Sequence, residues 1–342
     1  MLRAVIAFVV LSITAVLAFA LAVGFGEQSI SLATALSDPQ STDAAIFFSL
    51  RVPRALLAAM VGAALAASGS ALQALMRNPL ADPFILGVSG GAALGASLSI
   101  ALGIGVVADA LSGSAAIFSH LSGPSFFAFL GAMGATAIVF FAGRVAGRTS
   151  PYAVLLSGVI FNAFALAAVT LVRTLASPDR MGEIMFWLTG TLGYERPSTL
   201  LATFGLEVVA LGGLFALAGR LNVLTLGDED AQALGVPVQK TRLLVLAFSS
   251  LAIAGAVAVS GLIGFVGLIV PHLLRLVVGP DQRLLIPCSI AGGAALLLLA
   301  DLGARLLFNV FHSEPPVGVL TALLGGPFFL LLLHRRRIGA ER

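Results

Sequence analysis

The chain has 342 residues, of which 59% are hydrophobic and only 10% charged, with a formal net charge of +3. Soluble domains carry about 25% charged residues, so a chain this apolar could not clothe its surface for water. The small positive excess comes without a basic block interleaved with aromatics, which excludes a nucleic-acid partner, and the single cysteine, Cys288, excludes an internal disulfide or a cysteine-ligated zinc site. The solvent that suits such a composition is membrane lipid.

A helix crossing a bilayer needs roughly 20 apolar residues. In chain order, the apolar runs predict ten spans, at 4–25, 55–76, 84–107, 124–143, 152–176, 198–219, 241–260, 262–278, 284–307 and 317–334. The fold class expected is an all-α integral membrane protein, a single transmembrane domain over residues 1–342. The first span contains Ala18-Phe19-Ala20, which resembles a signal-peptide cleavage site, but its apolar run exceeds a usual signal core and is expected to be a retained helix. In the third span Gly87, Gly91 and Gly95 recur every fourth residue, a spacing that lets helix backbones approach closely in lipid. The eighth span is short and glycine-rich and is expected to be broken or re-entrant.

An even number of spans puts both termini on one side. The basic residues fall mainly in the loops on that side, with Arg335-Arg336-Arg337 closing the last span, so the positive-inside rule makes both termini cytoplasmic. Arg51, Arg54, Arg173, Arg180, Arg196 and Arg305 are left on or near the opposite, outer side.

Residues 222–237, NVLTLGDEDAQALGVP, join the sixth and seventh spans. The segment is too polar to span. Gly227 and Gly235 divide it into two short helical pieces with a turn, Leu224, Leu226 and Leu234 offer an apolar side, and Asp228-Glu229-Asp230 suit the positive end of a helix dipole. A docking element on the cytoplasmic face fits this pattern.

No catalytic constellation appears. His120, His272, His312 and His334 are scattered without zinc-protease spacing, and the glycines at 87–91 lack the Gly-Lys-Ser/Thr ending of a phosphate loop. The clearest acid inside a predicted span is Glu207, which leaves open an ion-coupled secondary transporter.

Several collinear motifs then carry a resemblance: Arg51-Val-Pro-Arg54; 62–69, GAALAASG; 73–83, QALMRNPLADP; 86–89, LGVS; 226–237; 264–272, GFVGLIVPH; 300–305, ADLGAR; and 314–327, EPPVGVLTALLGGP. Over nearly its whole length the chain resembles the permease subunits of ATP-binding-cassette importers for iron–siderophore complexes, heme and vitamin B12. The resemblance implies a vitamin B12 permease-like fold in the bacterial inner membrane. It implies a second copy of the chain, two cytoplasmic ATPase subunits that bind ATP and Mg, and an external binding protein. It implies no active site and no cofactor or metal in this chain. The cargo implied is a ferric siderophore or heme, with cobalamin as the alternative. By the same resemblance Arg51, Arg54 and Arg305 engage the binding protein. Leu226, Gly227, Asp228, Glu229, Ala231, Leu234, Gly235, Val236 and Pro237 form the coupling segment against an ATPase. Asn78, Ser150, Pro151 and Tyr152 lie near the cytoplasmic gate, where relatives often carry small hydroxyl residues instead of Pro151 and Tyr152.

Overall fold

The computed structural model describes residues 2–104, 123–145 and 148–340. Its helices are α1 (Leu2–Gly24), α2 (Leu32–Ser37), α3 (Thr42–Ala45), α4 (Val52–Leu75), α5 (Val88–Leu102), α6 (Gly123–Ala142), α7 (Pro151–Leu175), α8 (Pro178–Leu188), α9 (Pro197–Ala216), α10 (Ala218–Leu224), α11 (Asp228–Ala233), α12 (Val238–Ser260), α13 (Val266–Val278), α14 (Gln282–Phe311) and α15 (Val317–Ala340). A π-helical turn, Ile46–Arg51, leads into α4, and two-residue strands β1 (Arg144–Val145) and β2 (Arg148–Thr149) pair as a small antiparallel hairpin. Among the described residues, seven helical stretches are long and apolar enough to cross a bilayer, and three shorter apolar helices, in α5, α13 and α15, complete the ten expected positions.

The bundle is built around α4. It packs against α14, α12, α13 and α9, while α5 packs on α6 and α7, and α1 lies along α14. Lipid tails are as apolar as leucine, so close backbone contact rather than hydrophobic exclusion holds such helices together. Gly62 of α4 and Gly293 of α14 meet so closely that a Cβ on either would sit 2.2 Å from the other's carbonyl oxygen. Gly91 of α5 and Gly131 of α6 meet in the same way, at 2.2 and 2.1 Å. The glycine spacing in the third predicted span is therefore a packing seam.

Two predicted spans are interrupted. The third divides at Gly87, whose φ of +80° ends a 3₁₀ turn, Pro83–Leu86, before α5 begins; its predicted end at 105–107 lies outside the described residues. The eighth is shortened to the 13 residues of α13, preceded by non-helical backbone at 261–264. Such backbone needs its own partners inside a membrane. At its start the Gly261 amide donates to the Val257 carbonyl at 2.9 Å and the Gly261 carbonyl accepts from Ser260 Oγ at 3.2 Å, while beside it the Thr191 amide donates to the Ser260 carbonyl at 2.9 Å. The first predicted span is helical through Ala18-Phe19-Ala20, with Ala18 and Ala22 buried in the core.

Candidate functional site

At one end of α4 stand the three arginines singled out in the sequence. All three are buried in the described chain: Arg51, Arg54 and Arg305 are 6%, 5% and 5% exposed. The reason is local. The last turn of α1 leaves carbonyls without intrahelical partners, and the arginines supply them. Arg51 donates to the carbonyls of Val23, Gly24 and Gln28, at 3.2 and 2.9 Å for the first two. Arg305 donates to those of Phe25 and Ala22, at 3.1 and 2.8 Å. Cations at a helix C-terminus also meet the negative end of its dipole.

Asp301 holds the other two sides of this cluster. Its fully buried carboxylate accepts from Arg54 Nε at 2.9 Å and from Arg305 Nε at 3.0 Å, one arginine on each oxygen. Arg54 also pairs with Glu314, in the turn before α15. Over the cluster opens a cleft of about 160 Å³ lined by Glu27, Gln28, Ile46, Arg51, Arg54 and Tyr194, among others. Burial, followed by the charge and hydrogen bond of Glu314, pushes the Glu27 carboxyl above its ordinary value.

The opposite end of α4 carries the 222–237 segment. It folds as α10 and α11, with Gly227 at φ +141° and Gly235 at φ +78° marking the turns. The three leucines separate: Leu224 is buried in the core, whereas Leu226 and Leu234 are 63% and 64% exposed. Ala231 is fully buried, Val236 packs against the core, and Pro237 is exposed. Asp228 opens α11 and lies between two arginines. Arg77, just past α4, reaches it at 2.6 Å, and Arg242, on the first turns of α12, reaches both its oxygens at 2.7 Å. Burial alone would push the Asp228 carboxyl up, but hydrogen bonds and charge from Arg242 and then Arg77 outweigh it and hold the group below its ordinary value.

A cleft of about 1310 Å³ lies beside this segment and brings together Arg77, Ser150, Pro151, Tyr152, Asp228 and Arg242 with neighbouring residues. Ser150 caps α7 by accepting from the Ala153 amide, and Pro151 takes the first helical position, where its missing N–H costs nothing. Tyr152 is 84% exposed. Asn78 turns the chain beyond α4, its side chain accepting from the Leu80 amide at 2.9 Å, adjacent to the cleft-lining Arg77.

Of the acidic members, Asp228 stood within the expected coupling segment, whereas Asp301 and Glu314 were not singled out as site residues in the sequence. Asp301 and Arg305 are four apart, the spacing of a helical ion pair, so that signal was present. The links from Arg54 to Asp301 and from Arg77 to Asp228 cross 247 and 151 residues and left no local trace. Glu207 is 3% exposed on the inner face of α9, one carboxyl oxygen lacking a hydrogen-bond partner.

The chain matches the FecCD transport family over residues 13–335. It is 44% identical to the hemin transport system permease protein HmuU of Yersinia pestis over 293 residues, which covers 85% of this chain and 84% of that protein. It is 44% identical to the cobalamin import system permease protein BtuC of Halobacterium salinarum, over 85% of this chain and 74% of the relative. Its fold superimposes with a TM-score of 0.81 on an inward-facing metal-chelate type ABC transporter, at 33% identity, covering 97% of this chain and 99% of the other. These likenesses replace the ion-coupled alternative built on Glu207. Across nearly its full length, the chain belongs to the FecCD transport family and is an ABC importer permease.

Proposed function

We propose that two copies of this chain form the pathway of an importer driven by two separate ATPase subunits, and that its cargo is an iron complex, a ferric siderophore or heme. The observation that carries the first part is the 222–237 segment, a structured, projecting pair of short helices that leaves Leu226 and Leu234 in the open. Two exposed leucines on a polar segment are what a partner's groove would cover. The end with this segment is the cytoplasmic one, in keeping with the basic residues on its side. The opposite cleft over Arg51, Arg54 and Arg305 is the seat of an external binding protein, whose acidic side chains would approach a floor rich in guanidinium groups. ATP and Mg belong to the partner ATPases, and no active site is assigned to this chain. The hemin permease relative is consistent with a heme-like cargo, and the cobalamin permease of equal identity is equally consistent with the alternative.

The mechanism is mechanical. ATP-driven movement of the ATPases displaces the α10–α11 segment, and the cleft holding Ser150, Pro151 and Tyr152, with Asn78 at its margin, opens or closes the inner end of the pathway. Mass measurement of the detergent-solubilised complex, expressed with its ATPase, tests the assembly: two copies of each are expected. A Leu226→Arg, Leu234→Arg variant should fold yet lose the ATPase, since each buried leucine contributes about 1.5–3 kcal/mol. Retention of the ATPase by this variant would remove the segment from the interface. Gly235 is a poor probe of the same point, because its φ of +78° strains any other residue. Binding of hemin, a ferric hydroxamate and cobalamin to the cognate external protein decides the cargo.

A further inference from the structure

We propose that Arg77 and Arg242 are positioning residues that fasten the coupling segment to α4 and α12 through Asp228, so that a displacement of α11 is delivered to the central helix of the bundle. This rests on the proposed docking of an ATPase on α10–α11.

Along the chain α11 continues directly into one spanning helix, α12, and reaches α9 only through the turn at 225–227 and α10, which itself packs against α4. Residues 234–237 lead from α11 into α12, so α12 follows α11 covalently. Helix α4 is 151 residues away along the chain at Arg77, and yet it is the most deeply buried spanning helix, packed against α9, α12, α13 and α14. Arg77 closes this gap. Its Nε donates to the Leu224 carbonyl at the end of α10 at 2.9 Å, and its Nη2 donates to Asp228 at the start of α11 at 2.6 Å. One guanidinium thus bridges the turn at 225–227 from both sides. The Arg77 backbone lies at φ +50°, a conformation uncommon outside glycine that turns the chain sharply off α4. Arg242 completes the arrangement from α12, with a side chain only 7% exposed.

The electrostatics suit a coupling that rearranges. Asp228 is 38% and Arg77 41% exposed at the side chain, so water competes for both and the Arg77 contact can break and re-form. Arg242 is 7% exposed at the side chain and holds both Asp228 oxygens at 2.7 Å, so its pair is the better shielded of the two. The contact that switches is therefore the one to α4. All three residues line the 1310 Å³ cleft that also contains Ser150, Pro151 and Tyr152, so any change in the reach from Arg77 to Asp228 alters the shape of that cleft.

The test uses the full chain assembled with its ATPase in proteoliposomes, with a nitroxide on Tyr152→Cys; Cys288 is buried and stays unlabelled. Pulsed spin–spin distances between the two copies are read before and after trapping with ATP and vanadate. Arg77→Gln, at a part-exposed site that does not threaten folding, should keep the ATPase bound and hydrolysing while the trapped-state population falls roughly fivefold. Arg77→Lys should restore most of the response, and Arg242→Gln should reproduce the loss. A full distance change in Arg77→Gln overturns the proposal while leaving the docking segment in place. Loss of the ATPase from Arg77→Gln also overturns it, because Arg77 would then be an ATPase contact. A wild-type complex that assembles without any ATPase would instead remove the docking reading on which the proposal stands.

Discussion

Helix α4 ends at both extremes in the same chemistry, an aspartate between two arginines, with opposite physical character. At one end Asp301 is fully buried and Arg54 and Arg305 are 6% exposed at the side chain. At the other, Asp228 and Arg77 are more than a third exposed and only Arg242 is buried. Taking charges out of water costs several kcal/mol per ion unless hydrogen bonds replace the lost solvent. The Asp301 cluster meets that demand in full: each carboxylate oxygen has its own arginine, and the spare guanidinium donors reach the α1 carbonyls and Glu314. It is a fixed joint between α1, α4 and α14. The Asp228 cluster leaves its ions partly hydrated, so its contacts are weaker and free to rearrange. The contrast teaches that an identical ion set serves as a rivet or as a latch according to its burial.

The strongest way to break the comparison is to remove the buried anion. Asp301→Asn removes the buried carboxylate that both guanidinium groups share and leaves only the less buried Glu314 and Glu27 beside them among the described residues, and an uncompensated buried charge costs about 3–5 kcal/mol. Poor yield and a large drop in the thermal unfolding temperature of the solubilised chain are expected. A combined Arg54→Met, Asp301→Leu, Arg305→Met variant should recover much of that loss, because apolar replacement of a whole buried ion set is often neutral. If Asp301→Asn is as stable as wild type, the rivet reading fails.

A smaller effect is expected at the rim. Since Arg51, Arg54 and Arg305 are committed to the fold, reversing their charges would test folding rather than docking. Tyr194 is 61% exposed and lines the same cleft. Tyrosines are common anchors of interfaces, where truncation costs about 2 kcal/mol or more. Tyr194→Ala should weaken binding-protein association by roughly tenfold or more, measured by surface capture, with unfolding temperature unchanged. Undiminished association would move the docking site off this cleft.

The apolar helices were legible because bilayer thickness imposes a length on the seven long ones among the described residues and the three shorter ones remain apolar, and residues 222–237 were legible because polarity and two glycines interrupt that rule. Helices α2, α3 and α8 were not, being too short or too mixed in polarity to leave a spanning signal: α8 carries Asp179, Arg180 and Glu183 among its apolar residues. The arginines were visible as charges on the less basic side, but their burial was not. It depends on α1 carbonyls and on Asp301 and Glu314, which the chain delivers from far along the sequence. Leu224, Leu226 and Leu234 look alike in sequence, and only the end of α10 at Leu224 separates the buried first from the exposed other two.

The least disruptive probe is Asp228→Asn, which sharpens the contrast most. The pairs it breaks are part-exposed, and screening by water limits their combined contribution to about 1 kcal/mol. The sign of its pH dependence follows from the direction of the shift. The folded-state carboxyl sits below its ordinary value of 3.8, so its contribution is fully present above that pH and is lost as pH falls through the lower folded value. At neutral pH wild type should therefore exceed Asp228→Asn in stability by about 1 kcal/mol or less, and the gap should close only below about pH 4. Raising salt from about 0.05 to about 1 M, where the screening length falls to about 3 Å, should also shrink it. The Asp301→Asn deficit should persist in the same salt, because buried ions are screened far less. Thermal unfolding of the three solubilised proteins at both salt levels makes the comparison. A salt-insensitive Asp228→Asn deficit as large as that of Asp301→Asn would mean that the Asp228 cluster is a second rivet, with no freedom to act as a latch.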